Sequence, residues 1–138
     1  MQRLNQITIA WSALFALVHF YWAAGGGAGM NGEPADTAGA QLYIGFIAVL
    51  GLLGGGVAYW LHGRPADPRL ILLARAGGAA LLAGVVVGVA RWLSDGGIGD
   101  DGAAGVITTL YFLAGGVLFS AISRRGAAVA PALANRGR

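Results

Sequence analysis

His19 is an ionisable residue inside an apolar stretch of this sequence. It lies in the segment VHFYWAAGG, at the end of an apolar run that begins at Ile7. Residues three and four positions apart share one face of a helix, so His19 shares a face with three aromatic residues, Trp11, Phe15 and Trp22. Two interpretations are open. His19 is either a neutral ring hydrogen-bonded to a neighbouring helix or a functional group, since an ionisable residue at such a depth faces other helices.

Further polar and aromatic residues occur at the corresponding ends of the other apolar segments. If the helices alternate in direction, all of these residues fall in the same half of the molecule as His19. We therefore predict a small polar pocket that opens toward the outside of the cell, lined by His19, Trp22, Gln41, Tyr43, Arg91, Asp95, Thr108 and Tyr111. The alternative is an interfacial belt of aromatic residues, with Arg91 reaching water or pairing with Asp95.

The common catalytic and metal-binding patterns are absent from the sequence. The chain has no cysteine, which excludes thiolate chemistry and thiol redox pairs. His62 follows the second apolar segment, at the opposite side from His19, so the two histidines cannot share a haem. The aspartates of SDGGIGDDG do not match the spacing of an EF-hand. We predict no catalytic residue set, no metal and no cofactor.

Four apolar segments must position these residues. They cover residues 7–24, 40–61, 70–93 and 103–122, and each has about the 20 residues that a helix needs to cross ~30 Å of hydrocarbon. Only 11% of the residues are charged, against about 25% in an average soluble domain. The sequence therefore predicts an all-α integral membrane four-helix bundle. Its single domain would span residues 1–125, followed by a flexible cytoplasmic tail over 126–138.

The distribution of arginine predicts the orientation of the bundle. All nine basic residues are arginines, and eight of them fall on one side of the four segments, leaving Arg91 for the other. The positive-inside rule then places both termini in the cytoplasm. Because the arginines flank apolar segments, the net charge of +3 indicates topology and no binding to nucleic acid. A cleaved signal peptide is the alternative for the first segment, but its length favours a retained helix.

Small residues recur at four-residue spacing in two segments, as Gly51 and Gly55 and as Ala76, Ala80, Gly84 and Gly88. Such stripes allow helices to approach closely. We expect these contacts inside the bundle, while contacts between copies, and hence a homo-oligomer, stay open.

The stretch HFYWAAGGGAG resembles the end of the first helix in the DUF3995 family of small bacterial membrane proteins. His19, Tyr21, Trp22, Gly25 and Gly26 occupy an H-x-Y-W-x-x-G-G motif. The family usually has a tryptophan and a glycine after the glycine pair, whereas this chain continues as Gly27, Ala28 and Gly29. The resemblance implies a four-helix membrane fold and a bacterial source, and it implies no function, since none is assigned to the family.

Two classes of function fit these features. The first is a small non-enzymatic protein of the bacterial inner membrane, acting as an accessory subunit of a larger membrane protein or as a binder of a lipid or small hydrophobic ligand. The second is a membrane enzyme or carrier in which His19 acts as acid and base and Arg91 assists electrostatically. Whether the protein is an enzyme stays open at the level of the sequence.

Overall fold

Four helices make up most of the described part of the chain, which in this computed structural model comprises residues 2–27, 35–94 and 102–134. They are α1 (Gln2–Ala23), α2 (Ala38–Gly63), α3 (Pro68–Ser94) and α4 (Gly102–Ala134), and the described residues contain no strand. Each helix is long and apolar enough to cross a membrane. The predicted all-α four-helix bundle is confirmed.

Each predicted apolar segment forms a helix, and each helix begins earlier or ends later than the predicted segment. α1 starts at Gln2, well before Ile7, because polar residues can continue a helix beyond hydrocarbon. Helix caps define the starts of α2 and α3. The Thr37 side chain accepts a hydrogen bond from the Ala40 N–H, and Asp67 accepts one from the Arg69 N–H at 2.9 Å. Both are typical N-cap residues, which satisfy backbone donors that the helix leaves unpaired.

The largest departure from the prediction is the C-terminal end of α4. We predicted a helix that ends at Ile122 and a flexible tail over 126–138, but α4 continues to Ala134. Gly126 is buried, and a Cβ atom there would lie 2.7 Å from the Pro65 carbonyl oxygen. Residues 127–130 are three alanines and one valine, and alanine is the best helix former; the helix also continues through Pro131. Packing against the loop between α2 and α3 and this composition together extend the helix, and residues 135–138 lie outside the described residues.

The helices pack as two antiparallel hairpins. α1 lies along α2, and α3 lies along α4; smaller contacts join α1 to α4 and α2 to α3. No Cα atom of α1 lies within 8 Å of a Cα atom of α3. These two helices therefore occupy opposite corners of the bundle.

Small residues of α2 face a polar stripe of α1. Asn5, Thr8 and Ser12 are buried, and the Asn5 Nδ2 donates a hydrogen bond to the Ala58 carbonyl oxygen at 3.3 Å. A Cβ atom at Gly55 would lie 3.2 Å from the Ser12 Cβ. The glycines predicted to allow close contact in α2 do so, because a larger residue would keep these short polar side chains away from the α2 backbone.

In α3, the predicted stripe of small residues is right for its glycines and wrong for its alanines. Gly84 faces Phe112 of α4, and Gly88 faces Thr109, but Ala76 and Ala80 are exposed. A step of four residues rotates about 40° around a helix of 3.6 residues per turn. A strict four-residue stripe therefore turns away from a straight neighbouring helix within three steps.

Large apolar side chains cover much of the outer surface of the bundle. Leu53, Leu72 and Val86 are each more than 60% exposed. Soluble monomers rarely expose extended apolar patches. This outer surface is suited to contact with lipid chains.

Candidate functional site

The end of α1 is shaped by a glycine pair. The Gly26 N–H donates to the Tyr21 carbonyl oxygen and the Gly25 N–H donates to the Trp22 carbonyl oxygen, each at 3.0 Å. Gly25 has a φ of +90°, so these two bonds form a Schellman motif. A Cβ atom at Gly26 would collide with the Tyr21 ring. In the motif H-x-Y-W-x-x-G-G, the tyrosine and the glycines therefore terminate the helix, which leaves His19 and Trp22 for another role.

The His19 ring is held in a defined orientation by α1 itself. Its Nδ1 lies 2.8 Å from the Phe15 carbonyl oxygen. Because a carbonyl oxygen only accepts, Nδ1 must carry the proton in this bond, and the Nε2 of a neutral ring is then an acceptor. The ring stacks on Phe15 with centroids 4.1 Å apart, and the centroid of Trp22 lies 5.0 Å away at a steep angle.

An aromatic cluster joins α1 to α4 beside His19. The Trp11 ring stacks on Tyr111 at 4.9 Å and on Phe15 at 5.2 Å. The Tyr111 hydroxyl donates to the Trp11 carbonyl oxygen at 3.1 Å. A Cβ atom at Gly115 of α4 would collide with the Trp11 ring, so this glycine is what admits the indole between the helices. The cluster fixes the spacing of α1 and α4.

Next to this cluster, toward the C-terminal end of α1, side chains of α1 and α4 line a pocket of about 350 Å³. It is lined by Leu14, Phe15, Val18, His19, Trp22, Ile107, Thr108, Tyr111 and Phe112. The side chains of Leu14 and Ile107 are exposed, so the pocket is open to the outer surface of the bundle. The Tyr111 hydroxyl already donates to Trp11, and the lining contains no charged residue. Of the polar residues in the lining, His19, Thr108 and Tyr111, the histidine therefore offers the strongest acceptor to a guest molecule.

Four of the eight predicted pocket residues line this cavity: His19, Trp22, Thr108 and Tyr111. Gln41 instead donates to the Ala35 carbonyl oxygen at 3.0 Å, and Tyr43 is 66% exposed. Arg91 is exposed on α3, the helix diagonally opposite α1, and does not line the pocket. Asp95 lies outside the described residues. The sequence therefore indicated the end of the bundle at which the pocket lies, but not which two helices form its walls.

Sequence reasoning missed the apolar part of the lining. Leu14 and Val18 precede Trp22 at four-residue spacing, and Ile107 and Phe112 are each four residues from Tyr111 or Thr108. These spacings place them beside the predicted polar residues on the same helix faces. The signal was present, but apolar residues in an apolar helix do not stand out without knowledge of the packing.

The arrangement can bind a guest, and it provides no set of groups for metal chemistry. Within residues 2–27, 35–94 and 102–134, no three His, Cys, Asp or Glu residues cluster where they could hold a metal ion. No family model matches the chain, and neither a curated protein nor a solved structure is significantly similar to it. The function is therefore inferred from the pocket geometry.

Proposed function

We propose that this chain is a multi-pass protein of the bacterial cytoplasmic membrane that binds a small hydrophobic molecule in the pocket between α1 and α4. The observation that carries the proposal is the hydrogen bond from His19 Nδ1 to the Phe15 carbonyl oxygen at 2.8 Å. It leaves Nε2 as an acceptor in a lining that is mainly apolar and aromatic. Ligand pockets typically combine such a lining with a few placed polar groups.

The lining indicates the chemistry of the ligand. The aromatic side chains of Trp22 and Phe112 in the lining favour a flat ring, since aromatic rings stack with offset or edge contacts. The Nε2 acceptor selects a hydroxyl or N–H donor on that ring. Access from the outer surface of the bundle, between Leu14 and Ile107, suits a molecule that partitions into lipid.

Acid and base catalysis by His19 is less well supported by the geometry. In that alternative Arg91 assists the imidazole electrostatically, but Arg91 lies on the helix diagonally opposite α1. The motif at the end of α1 supports a second proposal, that the chain is a distant member of the DUF3995 family. Its tyrosine and glycines have a structural role here, which leaves His19 and Trp22 as the motif residues available for ligand binding.

The ligand proposal is tested with a brominated aromatic alcohol as probe. Bound 6-bromo-2-naphthol should quench tryptophan fluorescence of the purified protein, because bromine would contact Trp22. His19→Leu should weaken binding about tenfold, the effect of leaving a buried donor without its acceptor. 2-Bromonaphthalene, which has no donor, should bind the wild type and His19→Leu equally.

Two matched variants make the test specific. His62→Leu removes the other histidine, which is exposed at the end of α2, and should leave binding unchanged. Trp22→Phe should reduce the quenching amplitude, because it removes the reporter in the pocket. If naphthol affinity is the same in wild type and His19→Leu, the proposed role of Nε2 is wrong.

The proposed orientation places the pocket in the outer half of the membrane and both termini in the cytoplasm. The chain has no cysteine, so single cysteines can report the location of each loop. Asp36 and Gly63 are exposed at opposite ends of α2. An impermeant maleimide should label Asp36→Cys in intact spheroplasts and Gly63→Cys only after lysis. The reverse labelling pattern would contradict the positive-inside assignment.

A further inference from the structure

An open groove lies on the surface between α3 and α4, toward the end of the bundle where most arginines are found. It has a volume of about 350 Å³ and is lined by Arg75, Ala79, Leu82, Ser120, Ser123 and Arg124. We refer to these six residues as the arginine groove. It shares no residue with the pocket between α1 and α4, so it requires an explanation of its own.

Close packing of two glycines forms the arginine groove. A Cβ atom at Gly78 would lie 3.3 Å from the Gly116 carbonyl oxygen, and one at Gly116 would lie 3.3 Å from the Gly78 carbonyl oxygen. The two backbones therefore touch at this point. Arg75 lies about one turn from Gly78 on α3, and Arg124 lies one turn from Ser120 on α4. The contact between the helices brings both arginines to one groove.

The two arginines in the groove have no acidic partner among the described residues. Of the two described carboxylates, Asp67 binds the backbone N–H groups of Arg69 and Leu70 at the start of α3. Asp36 precedes α2, at the opposite end of that helix from the loop that leads to α3. Two like charges that share a groove repel each other, and an anion placed between them would be stabilised by both.

The donors of the groove suit a phosphate group. Each guanidinium offers parallel N–H donors that match phosphate oxygens in a bidentate manner. The Ser123 hydroxyl is already used, since it donates to the Ser120 carbonyl oxygen at 2.9 Å. Ser120 also lines the groove, and its hydroxyl is a neutral donor. The remaining lining, Ala79 and Leu82, is apolar.

The position of the groove favours a lipid as the source of that phosphate. Arg75 and Arg124 both lie within the apolar spans Pro68–Ser94 and Gly105–Val129, near their arginine-rich ends, where phospholipid headgroups are found. Leu82 lies on the side of Arg75 that leads toward the middle of α3, where an acyl chain would run. Basic pockets between membrane helices on the cytoplasmic side bind anionic headgroups in other proteins. We propose that the arginine groove binds the phosphate group of an anionic phospholipid from the cytoplasmic leaflet.

The proposal is tested by native mass spectrometry of the full chain in detergent. Phosphatidylglycerol and phosphatidylcholine are offered at equal concentration, and the retained adducts are compared. We expect one phosphatidylglycerol to be retained about thirtyfold more than phosphatidylcholine, the ratio that corresponds to roughly 1 kcal/mol for each of the two arginines near anionic lipid. The double variant Arg75→Gln/Arg124→Gln should lose this preference while its melting temperature stays close to that of the wild type.

The matched control is Arg69→Gln/Arg125→Gln. It removes the same charge from the same two helices, and its arginines are exposed, as Arg75 and Arg124 are, but lie outside the groove. It should keep the phosphatidylglycerol preference. Equal loss in both double variants would indicate a diffuse charge effect and overturn the proposal. Inorganic phosphate at about 10 mM provides the second control. If it displaces the lipid and a phosphate adduct is retained, the ligand is a soluble anion and the proposal is overturned.

Discussion

Gly78→Leu is expected to lower the free energy of unfolding by about 3 kcal/mol, at the upper end of the usual cost of overpacking. A Cβ atom at position 78 would lie 3.2 Å from the Ser120 backbone nitrogen and 3.3 Å from the Gly116 carbonyl oxygen. Both atoms belong to the backbone of α4, which cannot move aside as a flexible side chain can. The leucine would have to separate α3 from α4 along their contact. Thermal unfolding in detergent, followed by circular dichroism, measures the effect.

The neighbouring glycine provides the control for this experiment. A Cβ atom at Gly77 would meet nothing within 4 Å, although Gly77 is adjacent to Gly78 in the same helix. Gly77→Leu should therefore not destabilise the protein and should raise its stability by up to about 1 kcal/mol, because leucine is a better helix former than glycine. Similar melting temperatures for the two variants would mean that α3 and α4 do not approach each other at Gly78.

Gly115→Val is expected to destabilise the contact between α1 and α4 by about 2 to 3 kcal/mol and to disrupt the ligand pocket. Gly115 is buried, and a Cβ atom there would collide with the indole ring of Trp11. Trp11 stacks on Tyr111 and Phe15, which both line the pocket. Displacing the indole therefore moves the pocket walls. Thermal unfolding and the quenching by 6-bromo-2-naphthol report the two effects separately.

A double-mutant cycle identifies the collision as the cause. Trp11→Ala should itself cost about 3 kcal/mol by leaving a cavity, but in that background Gly115→Val should cost at least ~1 kcal/mol less than in the wild type, because the partner of the collision is gone. The adjacent Ala114 is exposed, so Ala114→Val should be nearly neutral. Additive effects of the two substitutions would show that Gly115 and Trp11 do not meet.

The number and type of the helices, and the end of the first one, could be predicted from local sequence. The four apolar segments predict four helices because a membrane span depends on the length and polarity of one contiguous stretch. The Gly25 and Gly26 pair similarly marks the end of α1, since the Schellman motif involves only residues close in sequence. The continuation of α4 to Ala134 was not predicted, because it depends partly on the contact between Gly126 and Pro65.

The candidate site could be predicted only in part. The sequence determined that His19 and Trp22 share a helix face with Phe15, and that Thr108 and Tyr111 lie at the same level on another helix. Only the tertiary structure decided that α4, and not α3, forms the other wall of the pocket. The position of a polar residue along the bundle axis follows from its distance in sequence to the end of its helix. The residues that it contacts depend on which helix lies beside it. That arrangement is decided by contacts such as Trp11 with Gly115 and Gly78 with Gly116, which join residues far apart in the chain and leave no periodic signal in either segment alone.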